Sequence, residues 1–139
     1  MRDYDPDILL FFDTSPKALP LFEALDTMIR GAFPEAALRV QKTQITYYRR
    51  RVFACVSFAR VKRKRELPDP YLVLTLGMPY PLGSERVAVK VEACPGRWTT
   101  HIVLGSKSDL DGELLGWLRE AYAFSERKQA HAAPCGDGE

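Results

Sequence analysis

Residues 38–65 read LRVQKTQITYYRRRVFACVSFARVKRKR, and the parsing of this stretch decides the fold. Residues 44–51 alternate, with Ile45 and Tyr47 on one side and Gln44, Thr46 and Tyr48 on the other. That two-residue period belongs to a half-buried strand. Residues 52–61 are richly apolar and suit the middle of a sheet. Arg49, Arg50 and Arg51 make the polar turn between them, without the Gly or Asn that would name its type. The stretch therefore predicts a strand, a turn and a second strand, entered through a short extended segment at 38–43. A polar run, Gln41, Lys42, Thr43 and Gln44, stands at the mouth of this sheet.

Further strands follow downstream. Residues 71–78, YLVLTLGM, place Leu72, Leu74, Leu76 and Met78 on one core-facing side. Residues 85–92 alternate, with Val87, Val89 and Val91 expected on one side. Pro95 and Gly96 form a tight turn. In the last strand Trp98, Thr100, Ile102 and Leu104 share one face, with Thr99, His101 and Val103 on the other. Helices flank the strands. Residues 7–12, DILLFF, predict one or two docked helical turns. A helix is expected from Pro16 to about Ala32, capped by Ser15, with Phe22, Leu25, Ile29 and Phe33 in its apolar stripe and Gly31 and Pro34 ending it. Leu110, Leu114, Trp117, Leu118 and Ala121 form the stripe of a final helix. Ser108 and Asp111 have capping-box spacing, and Asp109 suits the positive helix end, so these paired acids read as helix-start residues.

The predicted fold is thus α+β: a mainly antiparallel sheet of about five strands, in meander order, with N- and C-terminal helices packed on one face and an open face opposite. Residues 1–127 make a single domain and 128–139, which lose all periodicity, a disordered tail. A chain of 139 residues, 46% hydrophobic, is long enough for a real core. No apolar run approaches the roughly 20 residues of a membrane helix, and the acidic start MRDYDPD is unlike a signal peptide, so a soluble cytoplasmic protein is expected. Cys55, Cys94 and Cys135 are an odd set without CxxC spacing, which speaks against a disulfide framework or a zinc motif. Cys55 reads as a buried structural thiol.

Charge is uneven. Residues 36–65 hold ten Lys or Arg and no acid, while the rest of the chain holds ten bases and 18 acids, 10 − 18 = −8. Such a hairpin attracts phosphate-bearing partners, although the same charges also keep a sheet edge from aggregating.

Three spaced motifs carry a likeness: KTQITYYRRRVFACV, PGRWTTHIVL and DLDGELLGWLREAY. They resemble the bacterial domain-of-unknown-function family 5655 over residues 16–122. Thr43 stands where that family's pattern has serine, and Thr100 where it has the first histidine of a Thr-His-His run. The resemblance implies no assigned reaction. Some relatives fused to nuclease-like domains point towards nucleic-acid work.

The candidate ligand-binding residues are Lys42, Gln44, Tyr48, Arg97 and His101, which converge if the first and last strands lie close together. Arg offers a fork and Lys a point charge to an anion. Arg49, Arg50, Arg51, Lys62, Arg63, Lys64 and Arg65 are the candidate nucleic-acid contacts. No Walker loop, GxGxxG, GxSxG or HExxH occurs. His101 has no Cys, Asp or second His at ligand spacing, so neither a metal nor a cofactor is expected. The leading expectation is a non-catalytic binding module with a basic open face for an anionic ligand or nucleic acid, acting as monomer or homodimer. One alternative is a small enzyme with a pocket around His101, Lys42 and Arg97. Another is an interaction domain that dimerises through a strand edge.

Overall fold

The computed structural model describes residues 6–13, 15–58, 67–68 and 70–126. Three α-helices, α1 (Pro6–Phe11), α2 (Leu19–Ala32) and α3 (Gly112–Glu126), accompany six strands. The strands are β1 (Ala37–Val40), β2 (Gln44–Tyr48), β3 (Val52–Ser57), β4 (Leu72–Met78), β5 (Val87–Cys94) and β6 (Arg97–Leu104). The sheet has the order β1-β2-β3-β4-β6-β5, and every neighbouring pair is antiparallel.

The α+β expectation holds, with one strand more than the five expected. The segment entering the basic stretch is itself a strand, folded back by a tight turn in which the Gln41 amide donates to Gln44 O across 2.8 Å. The meander is also broken at its end. β6, not β5, pairs with β4: the link at 79–86, with Leu82 buried, does not turn tightly but returns the chain from beside Trp98 to beside Ile102.

One face of the sheet is the core. Ile45, Tyr47, Val56, Leu72, Leu74, Leu76, Met78, Ile102 and Leu104 are all buried in one cluster. From the helices it takes Phe22, Leu25, Ile29, Leu114, Trp117 and Leu118, the two apolar stripes expected from the periodicity. Phe33, Phe53 and Tyr122 close the cluster at the end of α3, with ring centroids 4.6–5.4 Å apart. Alternation sends Arg39, Gln44, Thr46, Cys55, Thr75 and His101 to the other side, here called the outer face. That face is less open than expected: Val73 is fully buried on it, flanked in the ladder by Ser57 and Val103.

Several local readings need correction. Ser15 makes no side-chain cap; a short 3-10 turn, Pro16–Ala18, leads into α2, whose first turn accommodates Pro20. The reciprocal capping box is Ser106 with Asp109, on the 3-10 turn Lys107–Asp109, while Asp111 accepts from the Leu114 amide at 3.0 Å and starts α3. Both acids are thus helix-start residues, as expected. In β5 a register shift between Val87 and Val89 puts Val87 opposite Ile102 on the core side and Val89 opposite His101 on the outer face. The three valines therefore do not share a side, because a bulge inserts one residue and reverses the alternation. Among the described residues no helix is long and apolar enough to cross a membrane. The expected tail at 128–139 lies outside the described residues.

Candidate ligand-binding face

The outer face carries one continuous cross-strand row. Arg39 is paired with Thr46, Thr46 with Cys55, Cys55 with Thr75, Thr75 with His101, and His101 with Val89. Five of the six are polar or titratable, on a strand set whose opposite side is mostly apolar. Exposed Arg39 sets its guanidinium carbon 5.1 Å from the centroid of the Tyr48 ring, a cation–π arrangement. Buried Thr46 bonds to Gln41 Oε1 at 2.7 Å, and Gln44 Nε2 reaches Gln41 Oε1 at 3.2 Å and Thr46 Oγ1 at 3.3 Å. Cys55 was expected to be buried. It is half-buried on this face, its Sγ 3.9 Å from Thr46 Oγ1, because alternation turns it away from the core.

At the far end of the row, His101 Nδ1 lies 2.9 Å from Thr75 Oγ1. Its burial pushes the imidazole pKa below the usual 6.5, since a charged ring would lose hydration there.

The candidate residues fall into two groups. Gln44 and Tyr48 sit on the outer face of β2, and Lys42 is exposed in the β1–β2 turn. Arg97 and His101 sit on the outer face of β6. Between β2 and β6 lie β3 and β4. Three ladder steps of about 4.8 Å separate the two backbones by about 14 Å. The strand order holds the two groups apart, since the convergence needed β2 beside β6. Within each group Gln44 and Tyr48, or Arg97 and His101, stand four residues apart on one strand, about 13 Å.

The basic tip divides as well. Arg49 Nε lies 2.7 Å from Glu35 and its Nη1 2.8 Å from Glu126, and these carboxylates, Glu126 first, raise its pKa. Arg51 donates to the Ser125 carbonyl at 3.0 Å, at the end of α3. Arg50, between them, is exposed. Lys62, Arg63, Lys64 and Arg65 lie outside the described residues.

Other charged clusters hold the fold. Arg86 donates to Asp109 O at 2.6 Å, to Asp111 at 3.0 Å and to Glu113 at 3.1 Å, with its guanidinium carbon 5.5 Å from the Trp117 ring centroid. Hydrogen bonds from the Leu114 amide and then Arg86 hold the Asp111 carboxyl below its ordinary range. Asp26 is fully buried on α2 and accepts from the Tyr47 hydroxyl at 2.6 Å and from Arg30 Nε at 2.9 Å. Among the described residues no three His, Cys, Asp or Glu side chains gather as a metal site would need.

Arg39 and Thr75 escaped the sequence reading, and Thr46, placed by alternation beside Gln44 and Tyr48, was not singled out as a candidate. The row exists only through the pairing order. No curated protein and no solved structure matches the chain. The family described as Domain of unknown function (DUF5655) matches residues 10–125, and the chain belongs to it.

Proposed function

We propose that this domain is a non-catalytic binding module that takes an anionic ligand, nucleic acid included, on the outer face at the β1–β2 hairpin. The observation that carries this reading is the placement of Arg39 over Tyr48, with exposed Lys42 beside the same hairpin and no acid anywhere on β1, β2 or β3. The hairpin thus carries a fork and a point charge, and its strands carry no carboxylate. Arg50 extends the positive surface, whereas Arg49 and Arg51 are engaged with α3 and its neighbour Glu35. The separation of Lys42 from His101 and Arg97 argues against the enzyme reading, which needs them around one small substrate. Two register shifts in edge strand β5 work against dimerisation along that edge.

The test is fluorescence anisotropy with labelled short oligonucleotides at about 50 and about 200 mM salt. Binding should weaken steeply with salt, and Arg39→Gln or Lys42→Gln should each flatten the slope by about one unit. No binding at low salt would exclude nucleic acid.

A further inference from the structure

With Gln44 Nε2 facing Gln41 Oε1, proton counting sets the polarity of the Gln41, Gln44 and Thr46 cluster. Turning both amides over would exchange the roles of the two glutamines while still leaving one donor and one acceptor. Thr46 has one hydroxyl proton, and its Oγ1 lies 2.7 Å from Gln41 Oε1, an atom that only accepts. That proton is therefore given to Gln41. Gln44 Nε2 faces the same Gln41 Oε1 and also Thr46 Oγ1, at 3.2 and 3.3 Å, and its two protons go one to each. Every inward-facing atom is then satisfied. What remains is the amino group of Gln41 and the carbonyl oxygen of Gln44, neither with a hydrogen-bond partner among the described residues. Buried Thr46 pins both amides, so this donor and this acceptor are held ready on half-buried side chains.

A phosphate or carboxylate offers acceptors only. It would meet the Gln41 amino group and leave Gln44 Oε1 unmet. The complement of this pair is a group with a donor beside an acceptor, as on the edge of a nucleobase. Lys42 stands between the two glutamines in sequence, exposed, and Arg39 with Tyr48 lies on the same face of the hairpin. Charge for a phosphate and an aromatic ring for stacking thus flank the amide pair. Base edges free of pairing partners, laid on a sheet face, belong to single strands.

We infer that the Gln41–Gln44 amide pair reads the edge of an unpaired nucleobase in a single-stranded nucleic acid, whose phosphates are held by Lys42 and Arg39. This rests on the anion-binding reading above and adds the base to it.

The experiment compares labelled single-stranded homopolymers of each base with an abasic strand of the same length, at fixed salt, by fluorescence anisotropy. At least one base-bearing strand should bind about tenfold tighter than the abasic strand. The Gln41→Ala/Gln44→Ala double variant should bring that ratio close to one while leaving the salt slope unchanged. Lys42→Gln should do the reverse. Should the double variant fail to fold, the wild-type ratio still decides. Equal binding of abasic and base-bearing strands, with a steep salt slope, would overturn base reading and leave the anion site standing. Loss of binding to both would overturn both. Equal affinity for the duplex of the preferred strand would overturn the single-strand assignment.

Discussion

The Tyr47 hydroxyl donates to Asp26 Oδ1 across 2.6 Å, and both side chains are shut away from solvent. This bond joins β2 to α2 through the core. A buried carboxylate that loses a donor bears its desolvation cost unrelieved. Tyr47→Phe should therefore destabilise the domain by about 1–3 kcal/mol, read from urea denaturation. An unchanged midpoint would mean that the other partners of Asp26, Arg30 among them, satisfy it.

Leu114 lies on the buried stripe of α3, against β3 and β4. Leu114→Ala removes packed methyl groups and leaves a cavity, at a cost of about 2–5 kcal/mol. A loss under about 0.5 kcal/mol in the same titration would contradict this packing, since it matches an exposed position.

His101 gives stability a pH dependence of known sign. Its folded-state pKa lies below 6.5, so below that pH the unfolded chain takes up the proton first. Its contribution is intact above about 6.5 and is lost as pH falls through that value, levelling off below the folded pKa. In thermal unfolding across pH 5 to 8, a His101→Asn variant should show a smaller drop in Tm towards acid than the wild type. Parallel curves would place the imidazole in full solvent.

Arg49 and Arg51 tie the β2–β3 turn to Glu126 and the Ser125 carbonyl. Arg49→Gln with Arg51→Gln should lower Tm slightly and speed amide exchange in the last turn of α3, while oligonucleotide binding keeps its salt slope. A flattened slope would return these arginines to the binding surface.

Periodicity was enough to find the elements. The stripes at Leu114 and Ile29 and the alternation through Leu72 to Met78 mark which side each element buries, because apolar burial dominates both. It could not rank strands in the sheet. Thr75 faces His101 across β4 and β6, and that depends on a link at 79–86 whose path no local preference records. Bulges escape for a similar reason: Val87 and Val89 look alike in an alternating run, and one inserted residue parts them. Asp26 sits in an apolar stripe as an apparent exception until Tyr47, 21 residues away, arrives with its hydroxyl. Arg49 and Arg51 look like part of a free basic tip until the end of α3 is brought beside them. The candidate face was thus visible as residue types on strands, and its grouping was not. Thr100 illustrates the limit. The family likeness put a histidine there beside His101, yet Thr100 is buried on the core face, so a histidine at that position would point away from the outer row.

The place of β6 between β4 and β5 has a kinetic consequence. Because both pairings are antiparallel, β4 and β5 run in the same direction, and the eight residues from 79 to 86 must carry the chain back along the sheet. Such a link reaches about 26–29 Å at full extension, and it has to return over only the four residues from Trp98 to Ile102, about 13 Å along β6. β5 cannot find its place from β4 directly; it has no neighbour until β6 exists. The two can instead close on each other at once, through Pro95 and Gly96, where Gly96 adopts φ +79. A local hairpin of that kind forms in roughly 1–10 μs, far faster than sequence-distant pairings. The topology therefore favours an order in which residues 87–104 pair as a two-stranded unit before that unit docks on β4 by its β6 side.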